Sequence, residues 1–454
     1  MTVLDYLRGV ERLTGTKEGC AEGDCGACTI VVATPGEGGP RYEAVNACLM
    51  LVPQLAGREV ITVEGLAAAD GRLHPVQSAL VAADATQCGF CTPGFAMAMF
   101  AFSQDGSAKD EETIHEALAG NLCRCTGYRP IVEACRTLQP APAGCLQNKS
   151  ASGDAQMTKD DAVYRNDDQV FHLPASLDAL AKLRAQHPDA ILLSGGTDLG
   201  LRVSKERESF PVVIWTGCVP ELKRMAETGG AVEFGAAVTY SEALRLLEKH
   251  FPSFAALVRR IGSRQIRNLG TFAGNLATAS PIGDTIPCLM ALGAEVTLRA
   301  QGVTRRLAVE DFITGYRKTA MQPGEFIEAV RIPLLAPGRI FKVYKLSKRF
   351  DQDISTLVAA FSMAIEKGIV GDLRVAFGGM AARSARARHV EAALIGKPWS
   401  EESLGDIDTI IAQDFTPMSD HRGGANYRLR AAANLVRRFH AETTSAQPAQ
   451  VWSL

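Results

Sequence analysis

The spacing of apolar positions changes several times along the chain, and each change marks a different element. Val3, Leu4, Leu7 and Val10 recur at helical spacing. CTIVVAT (28–34) predicts a strand, and REVITVEGL (58–66) predicts a shorter strand followed by a turn. HPVQSALVAAD, TPGFAMAMFAFSQ, DEETIHEALAG and RPIVEACRTL then predict helices joined by short loops over 73–138. The stretch PAPAGCLQNKSASGDAQMTKDDAV has no apolar period and predicts a linker at 141–165. Residues 166–335 alternate strands (DAILLSGG, VVIWTG, AVEFGAAVT) with helical runs such as SEALRLLEKHFPSFAALVRRIG. Residues 336–445 open on strands (FKVYKLS, TLVAAFSMAIEKG, DLRVAFGGMA) and close on helices around RHVEAALIG and NYRLRAAANLVRRFH, with a loose tail after Glu442. No repeat of fixed period occurs.

Composition narrows the class. A chain of 454 residues is too long for one core, since domains run to about 100–200 residues. Apolar content of 46 % and charged content of 22 % are those of an ordinary globular protein. A net charge of −2 without a long basic run argues against nucleic acid and anionic membrane as partners. No apolar stretch is long enough to span a bilayer, and MTVLDYLRGVERL lacks the apolar core of a secretory signal. Together these point to a reducing cytoplasm, where cysteines hold metal rather than pair as disulfides.

The cysteines carry the chemistry. KEGCAEGDCGAC gives Cys20-x4-Cys25-x2-Cys28, with Cys48 following in VNACLM. This is the plant-type [2Fe–2S] spacing, and it favours iron over a structural zinc site, which more often shows two C-x2-C knuckles. Gly19, Gly23 and Gly26 lace the loop. They permit sharp turns and a close approach of backbone N–H groups to sulfur. A second set joins Cys88-x2-Cys91 to Cys123-x-Cys125. Both of its pairs lie just before predicted helices, with Thr92 placed as a cap and Pro93 in the first helical position. Cys135, Cys145, Cys218 and Cys288 have no partner at ligand spacing and read as incidental thiols. Downstream, LSGGTDLG (193–200) follows a strand, and RQIRNLGTFAGNLATASPIGD (264–284) is polar and turn-rich. Two such loops behind two clusters suggest a flavin, which accepts electrons singly and releases two as hydride.

These motifs, in this order over nearly the whole chain, resemble the iron–sulfur/FAD small subunit of bacterial xanthine dehydrogenases, within the molybdenum hydroxylases. DFITGYRKT and YKLSKRFDQDIS extend the resemblance into the later blocks. It implies a multidomain α+β chain. A plant-ferredoxin-like [2Fe–2S] domain (1–57) would be followed by a helical-bundle [2Fe–2S] domain (58–140). An α/β, PCMH-type FAD-binding domain (166–335) and an α+β C-terminal flavoprotein domain (336–445) would complete it. The first domain is expected to lack a strand pair with which family members begin, leaving an open sheet edge. The resemblance implies one cluster on Cys20, Cys25, Cys28 and Cys48 and another on Cys88, Cys91, Cys123 and Cys125. For FAD it implies Leu193, Ser194, Gly195, Gly196, Thr197, Asp198, Leu199 and Gly200. It adds Thr271, Phe272, Ala273, Gly274 and Asn275, then Asp284, Ile327 and Lys345, with Ile261 beside the flavin. Ile261 stands where the family usually has an aromatic residue, and TFAGN where it usually has TIGGN. Arg349–Asp353 resembles a loop that affects access of NAD.

The resemblance further implies a separate large subunit that carries the molybdenum cofactor and hydroxylates hypoxanthine and xanthine to urate. Two copies of each subunit would assemble, and NAD would accept the electrons. No residue of this chain is then catalytic in the acid–base sense. An aldehyde or N-heterocycle as the partner's substrate, or a non-enzymatic redox sensor or carrier, are the competing readings.

Overall fold

The computed structural model describes all residues except 37–38, 139–159, 167 and 446–454. Most of the expected linker, Cys145 and the end of the tail lie outside the described residues. The chain divides into two compact units. The first is Met1–Glu221 with Thr239–Ser241 and Gly262–Thr271; the second is Leu222–Val238, Glu242–Ile261 and Phe272–Leu454.

The first unit opens with α1 (Val3–Asp5), whose Thr2 side chain accepts from the Asp5 N–H at 3.1 Å. The single helix expected over Val3–Val10 instead widens into a π turn at Tyr6–Val10. Strands β1 (Thr29–Thr34), β2 (Arg41–Asn46) and β3 (Glu59–Ile61) form an antiparallel sheet in the order β2-β1-β3. Alternation gives β1 two buried faces. Ile30 and Val32 pack with Val3, Leu4, Leu7 and the buried Cys28 and Cys48. Val31 and Ala33 pack on the helical domain.

That domain contains α2 (Pro75–Ala82), α3 (Thr92–Gln104), α4 (Glu111–Leu118) and α5 (Arg129–Arg136). Every residue from Gly94 to Phe102 is buried, as expected of a helix enclosed on all sides. Thr92 does not act as the cap. It is the first helical residue, and its hydroxyl pairs with that of Thr86 at 2.8 Å.

A four-stranded sheet follows, built from β4 (Ala162–Arg165), β5 (Val170–Leu173), β6 (Ile191–Leu193) and β7 (Val212–Trp215) in the order β4-β5-β7-β6. Strands β5, β7 and β6 are parallel, and β4 closes one edge antiparallel. Helices α6 (Leu177–Gln186) and α7 (Leu199–Ser204) belong to this part. Strand β4 occupies the end of the expected linker. It pairs residue for residue with β5, a partner that local composition does not reveal.

The block 166–335, expected as the FAD-binding domain, contains two sheets, the first of them in the first compact unit. Its later strands form a separate five-stranded antiparallel sheet in the second unit, ordered 303–308, 295–300, 326–333, 231–235, 225–228. A second antiparallel sheet there is ordered 340–346, 357–366, 369–378, 385–386. It packs through Phe361, stacked at 4.7 Å on Phe439 of the helix Ala425–Thr444. Among the described residues no helix is long and apolar enough to cross a membrane.

Candidate functional site

The first cysteine loop is turned by Gly23 and Gly26, at φ +83° and +67°. A Cβ on Gly19 would stand 2.6 Å from Cys25 Sγ, so only glycine lets the backbone pass that close. N–H groups point at sulfur. Cys20 N–H donates to Cys25 Sγ at 3.3 Å, and the Glu22 and Cys25 N–H groups donate to Cys20 Sγ at 3.4 Å each. The four thiols gather two and two, Cys20 with Cys25 and Cys28 with Cys48. The Cys25 thiol and these N–H groups pull the Cys20 thiol down to about 5, while Cys25, giving its proton to that bond, is pushed up. Cys28 is likewise lowered by Cys48, and Cys48 raised. Cys28 and Cys48 are buried.

The second set has the same two-and-two arrangement in a different setting. Cys125 and Cys88 approach to 3.5 Å and both are exposed. Cys91 pairs with Cys123. Burial, then Cys123, pushes Cys91 up to about 12. Cys123 Sγ lies 3.2 Å from Thr126 Oγ1 and accepts from the Cys125 and Thr126 N–H groups at 3.4 Å each. Tyr128, at φ +69°, turns the chain into α5, and its hydroxyl accepts from Cys123 N–H at 3.0 Å.

This geometry tests what the thiols fit. A single zinc ion requires four thiolates converging on one point. Here the thiols meet in pairs, Cys20 with Cys25, Cys28 with Cys48 and Cys88 with Cys125. Two pairs, each able to chelate one iron, fit a binuclear cluster, and the N–H donors offset its negative charge. Every described cysteine is free of disulfides. Cys135, Cys218 and Cys288 are buried.

Beyond β6, the loop 193–200 is held from several sides. Trp215 Nε1 donates to Ser194 O at 3.2 Å, Thr216 Oγ1 donates to Leu193 O at 3.2 Å, and the Ser194 and Thr271 hydroxyls lie 3.3 Å apart. A Cβ on Gly195 would run into Leu269 O, and Gly196 sits at φ +84°. The result is a bare backbone cradle, suited to the close approach of a dinucleotide pyrophosphate. Its far end, α7, presses on the first cysteine loop. A Cβ on Gly200 would strike Leu49 O, Ser204 Oγ donates to Ala21 O at 2.7 Å, and Lys205 Nζ donates to Cys20 O at 2.9 Å.

The remaining expected flavin residues lie in the second unit. Lys345 Nζ meets Asp284 Oδ2 at 2.7 Å and donates to Arg260 O at 3.0 Å, next to the half-buried Ile261. Ser355 Oγ donates to Asp284 Oδ1 at 2.6 Å. Thr285, adjacent to Asp284, donates to Asn275 Oδ1 at 2.7 Å. Phe272, Ala273 and Ile327, three of the expected flavin residues, have buried side chains. Phe272 is packed between Phe234 and Phe254, and Ala273 is buried, so their side chains serve the core and only their backbone is left for a ligand. Ile327 is buried in the strand Phe326–Pro333, opposite Leu298. Arg260, whose guanidinium covers the Phe350 ring at 4.4 Å, was not signalled by any motif, and Ser355, although it ends YKLSKRFDQDIS, was not singled out within it. A cavity of about 620 Å³ in the first unit, lined by Leu51, Pro53, Phe171 and Phe210 among others, includes none of these residues.

Comparison with known proteins matches three family models in chain order. They are a [2Fe-2S] binding domain over residues 62–136, the FAD binding domain in molybdopterin dehydrogenase over 165–335, and the CO dehydrogenase flavoprotein C-terminal domain over 342–443. Xanthine dehydrogenase 1 of Arabidopsis thaliana is 35 % identical over 93 % of this chain, and xanthine dehydrogenase/oxidase of Rattus norvegicus is 30 % identical over 93 %. The chain spans 37 % and 36 % of the length of these two relatives. Among solved structures, a chain of carbon monoxide dehydrogenase from Hydrogenophaga pseudoflava is 29 % identical with a TM-score of 0.56, covering 59 % of this chain and 94 % of that one. Quinoline 2-oxidoreductase from Pseudomonas putida, at 24 % identity and a TM-score of 0.55, shares the fold. The chain thus has the multidomain α+β architecture, iron–sulfur-binding, PCMH-type FAD-binding and C-terminal flavoprotein domains in series, of the flavoprotein/iron–sulfur portion of the molybdopterin-dehydrogenase family.

Proposed function

We propose that this chain is the electron-transfer subunit of a xanthine dehydrogenase. A separate molybdenum-bearing chain would oxidise hypoxanthine and xanthine to urate in the cytoplasm, and NAD would be the final acceptor. One observation carries the reading: the two thiol sets differ in access. Cys88 and Cys125 stand at the surface, where a partner can deliver electrons. In the Cys20–Cys48 set, Cys28 and Cys48 are buried and Cys20 and Cys25 half-buried, and the loop is hydrogen-bonded through Ala21 and Cys20 to the end of the glycine cradle at Ser204 and Lys205. When bound, the clusters exchange single electrons, and FAD gathers two for release as hydride.

The chain's own residues orient, insulate and charge-balance these groups. Backbone N–H groups at Cys20, Glu22, Cys25, Cys125 and Thr126 stabilise thiolate. Gly195 and Gly196 keep side chains out of the cradle. Lys345 and Ser355 hold the Asp284 carboxylate on both oxygens. Phe350, 53 % exposed beside Arg260, presents an aromatic face on the loop proposed to govern NAD access. The relatives named xanthine dehydrogenase support the purine substrate over an aldehyde or another N-heterocycle.

The test is to co-express the chain with its genomic neighbour, purify the complex, assay iron, sulfide and flavin, and add NADH and then xanthine. About four irons and one flavin per chain, from two binuclear clusters, bleached by both reagents, is the expected result. Zinc without sulfide would overturn the cluster reading. Bleaching by an aldehyde but not by xanthine would replace the substrate.

A further inference from the structure

The two cysteine sets meet at one hydrogen bond. Leu122, the residue before Cys123, donates its N–H to the carbonyl oxygen of Cys25 at 3.0 Å. A ligand residue of one set is thereby joined to a ligand residue of the other through one peptide link and one hydrogen bond. Electron tunnelling falls steeply with distance and passes better through bonds than across gaps, so the integrity of this contact matters.

Three glycines allow the contact. A Cβ on Gly26 would strike Gly120 O, one on Gly94 would strike Gly26 O, and one on Gly120 would strike the Gln265 side chain. Two buried amides then fasten it. Asn121 Nδ2 donates to Gly26 O at 2.9 Å and to Thr29 Oγ1 at 3.2 Å. Gln265 Nε2 donates to Asn121 Oδ1 at 2.9 Å and to Thr29 Oγ1 at 3.2 Å. Gln265 is fully buried and Asn121 is 3 % exposed, in surroundings where each such bond is strong and a lost one is costly. Gly26 lies between Cys25 and Cys28, and Asn121 lies two residues before Cys123. The amides therefore act on the backbone at both ends of the Leu122–Cys25 bond. Gln265 comes from Arg264–Arg267, the short helix that follows the second unit's Ile261 and leads back to the glycine cradle.

We propose that Asn121 and Gln265 are positioning residues for electron transfer between the two cysteine sets, clamping the Leu122 N–H onto the Cys25 carbonyl. The inference rests on the reading that both sets hold [2Fe–2S] clusters. Each transfer removes one electron at the Cys88/Cys91/Cys123/Cys125 set and adds one at the Cys20/Cys25/Cys28/Cys48 set. No bond breaks and no proton is required.

The test uses the full chain with its clusters, as wild type, Gln265→Leu and Asn121→Asp. The aspartate keeps the volume but puts an acceptor against Gly26 O, so it carries the test if Gln265→Leu does not fold. Iron and sulfide content, the g-values of each reduced cluster and both reduction potentials are measured at equilibrium. Flash photoreduction with freeze-quench EPR then times the passage of an electron from one signal to the other. The expected result is full loading, unchanged g-values and potentials, a several-fold slower passage, and weakened spin–spin splitting between the reduced clusters. Wild-type passage in a fully loaded variant overturns the assignment. So does slower passage accompanied by shifted potentials, which would make the amides structural supports of a cluster. Wild-type protein lacking sulfide or either EPR signal overturns the cluster reading itself, and the inference with it.

Discussion

The two cysteine sets use the same thiol pairing in opposite surroundings. Cys28 and Cys48 belong to the core under β1, among Ile30, Val32, Val45 and Met50. Cys88 and Cys125 are exposed, as are Phe90 and Tyr128, which follow them by two and three residues in the chain. The inner set is therefore part of what folds the domain. The outer set is mounted on a helical domain whose core is built around α3, with Cys91 and Cys123 packed against that core and Cys88 and Cys125 exposed. Burial is greatest at Cys28 and Cys48 and exposure greatest at Cys88 and Cys125, with the other four cysteines of the two sets half-buried.

The largest expected effect separates them directly. Cys48→Ser leaves a hydroxyl in an apolar core and removes a ligand whose metal supports folding, and should destabilise by about 2–4 kcal/mol. Cys125→Ser, at the surface, should change stability by no more than ~0.5 kcal/mol while abolishing one EPR signal. Thermal denaturation with EPR on both variants measures this, and equal destabilisation would break the comparison. Next in size, Gly200→Ala drives a methyl group into Leu49 O and should cost about 1–3 kcal/mol as overpacking. It should perturb the inner cluster's EPR line shape and leave the outer one unchanged. Iron release to a chelator should then be biphasic, with the phase assigned to Cys88/Cys125 the faster, and Cys125→Ser should remove that phase alone.

The smallest effect is acid sensitivity of the outer domain. His74 caps α2, its Nδ1 accepting from Val76 N–H at 3.3 Å, and its ring lies edge-on to Phe100. Nε2 is buried without a hydrogen-bond partner. Burial lowers its pKa below the ordinary 6.5. Below that value the unfolded chain takes up a proton that the folded one resists. The stabilisation is thus complete above pH ~6.5 and lost as pH falls toward the lower folded value. His74→Asn, which keeps a capping acceptor, should flatten the stability profile of this domain between pH 7 and 5, as followed by circular dichroism.

Much of this architecture is legible in the sequence because it is local. Cysteine spacing, the glycines between ligands and the unbroken apolar run of α3 each act within one element. The placement of β4, the division of 166–335 between two sheets, and the commitment of Phe272 to an aromatic core depend on partners remote in sequence. Asn121 reads as an unremarkable residue of GNLCRC until Gln265 is seen against it, and Ser355 likewise until Asp284 is. Thr92 shows the converse: a good capping residue lies inside the helix, its hydroxyl paired with that of Thr86.

The position of Gln265 also has a consequence for the order in which the protein is made. It follows Asn121 by 144 residues. At translation rates of about 5–20 residues per second, the gap corresponds to roughly 7–29 s. During that interval all eight ligand cysteines have been synthesised, but the amide that fastens their two loops has not. On the cluster reading proposed above, a nascent chain would present all eight cysteines before Gln265 is available to fasten the junction between their loops.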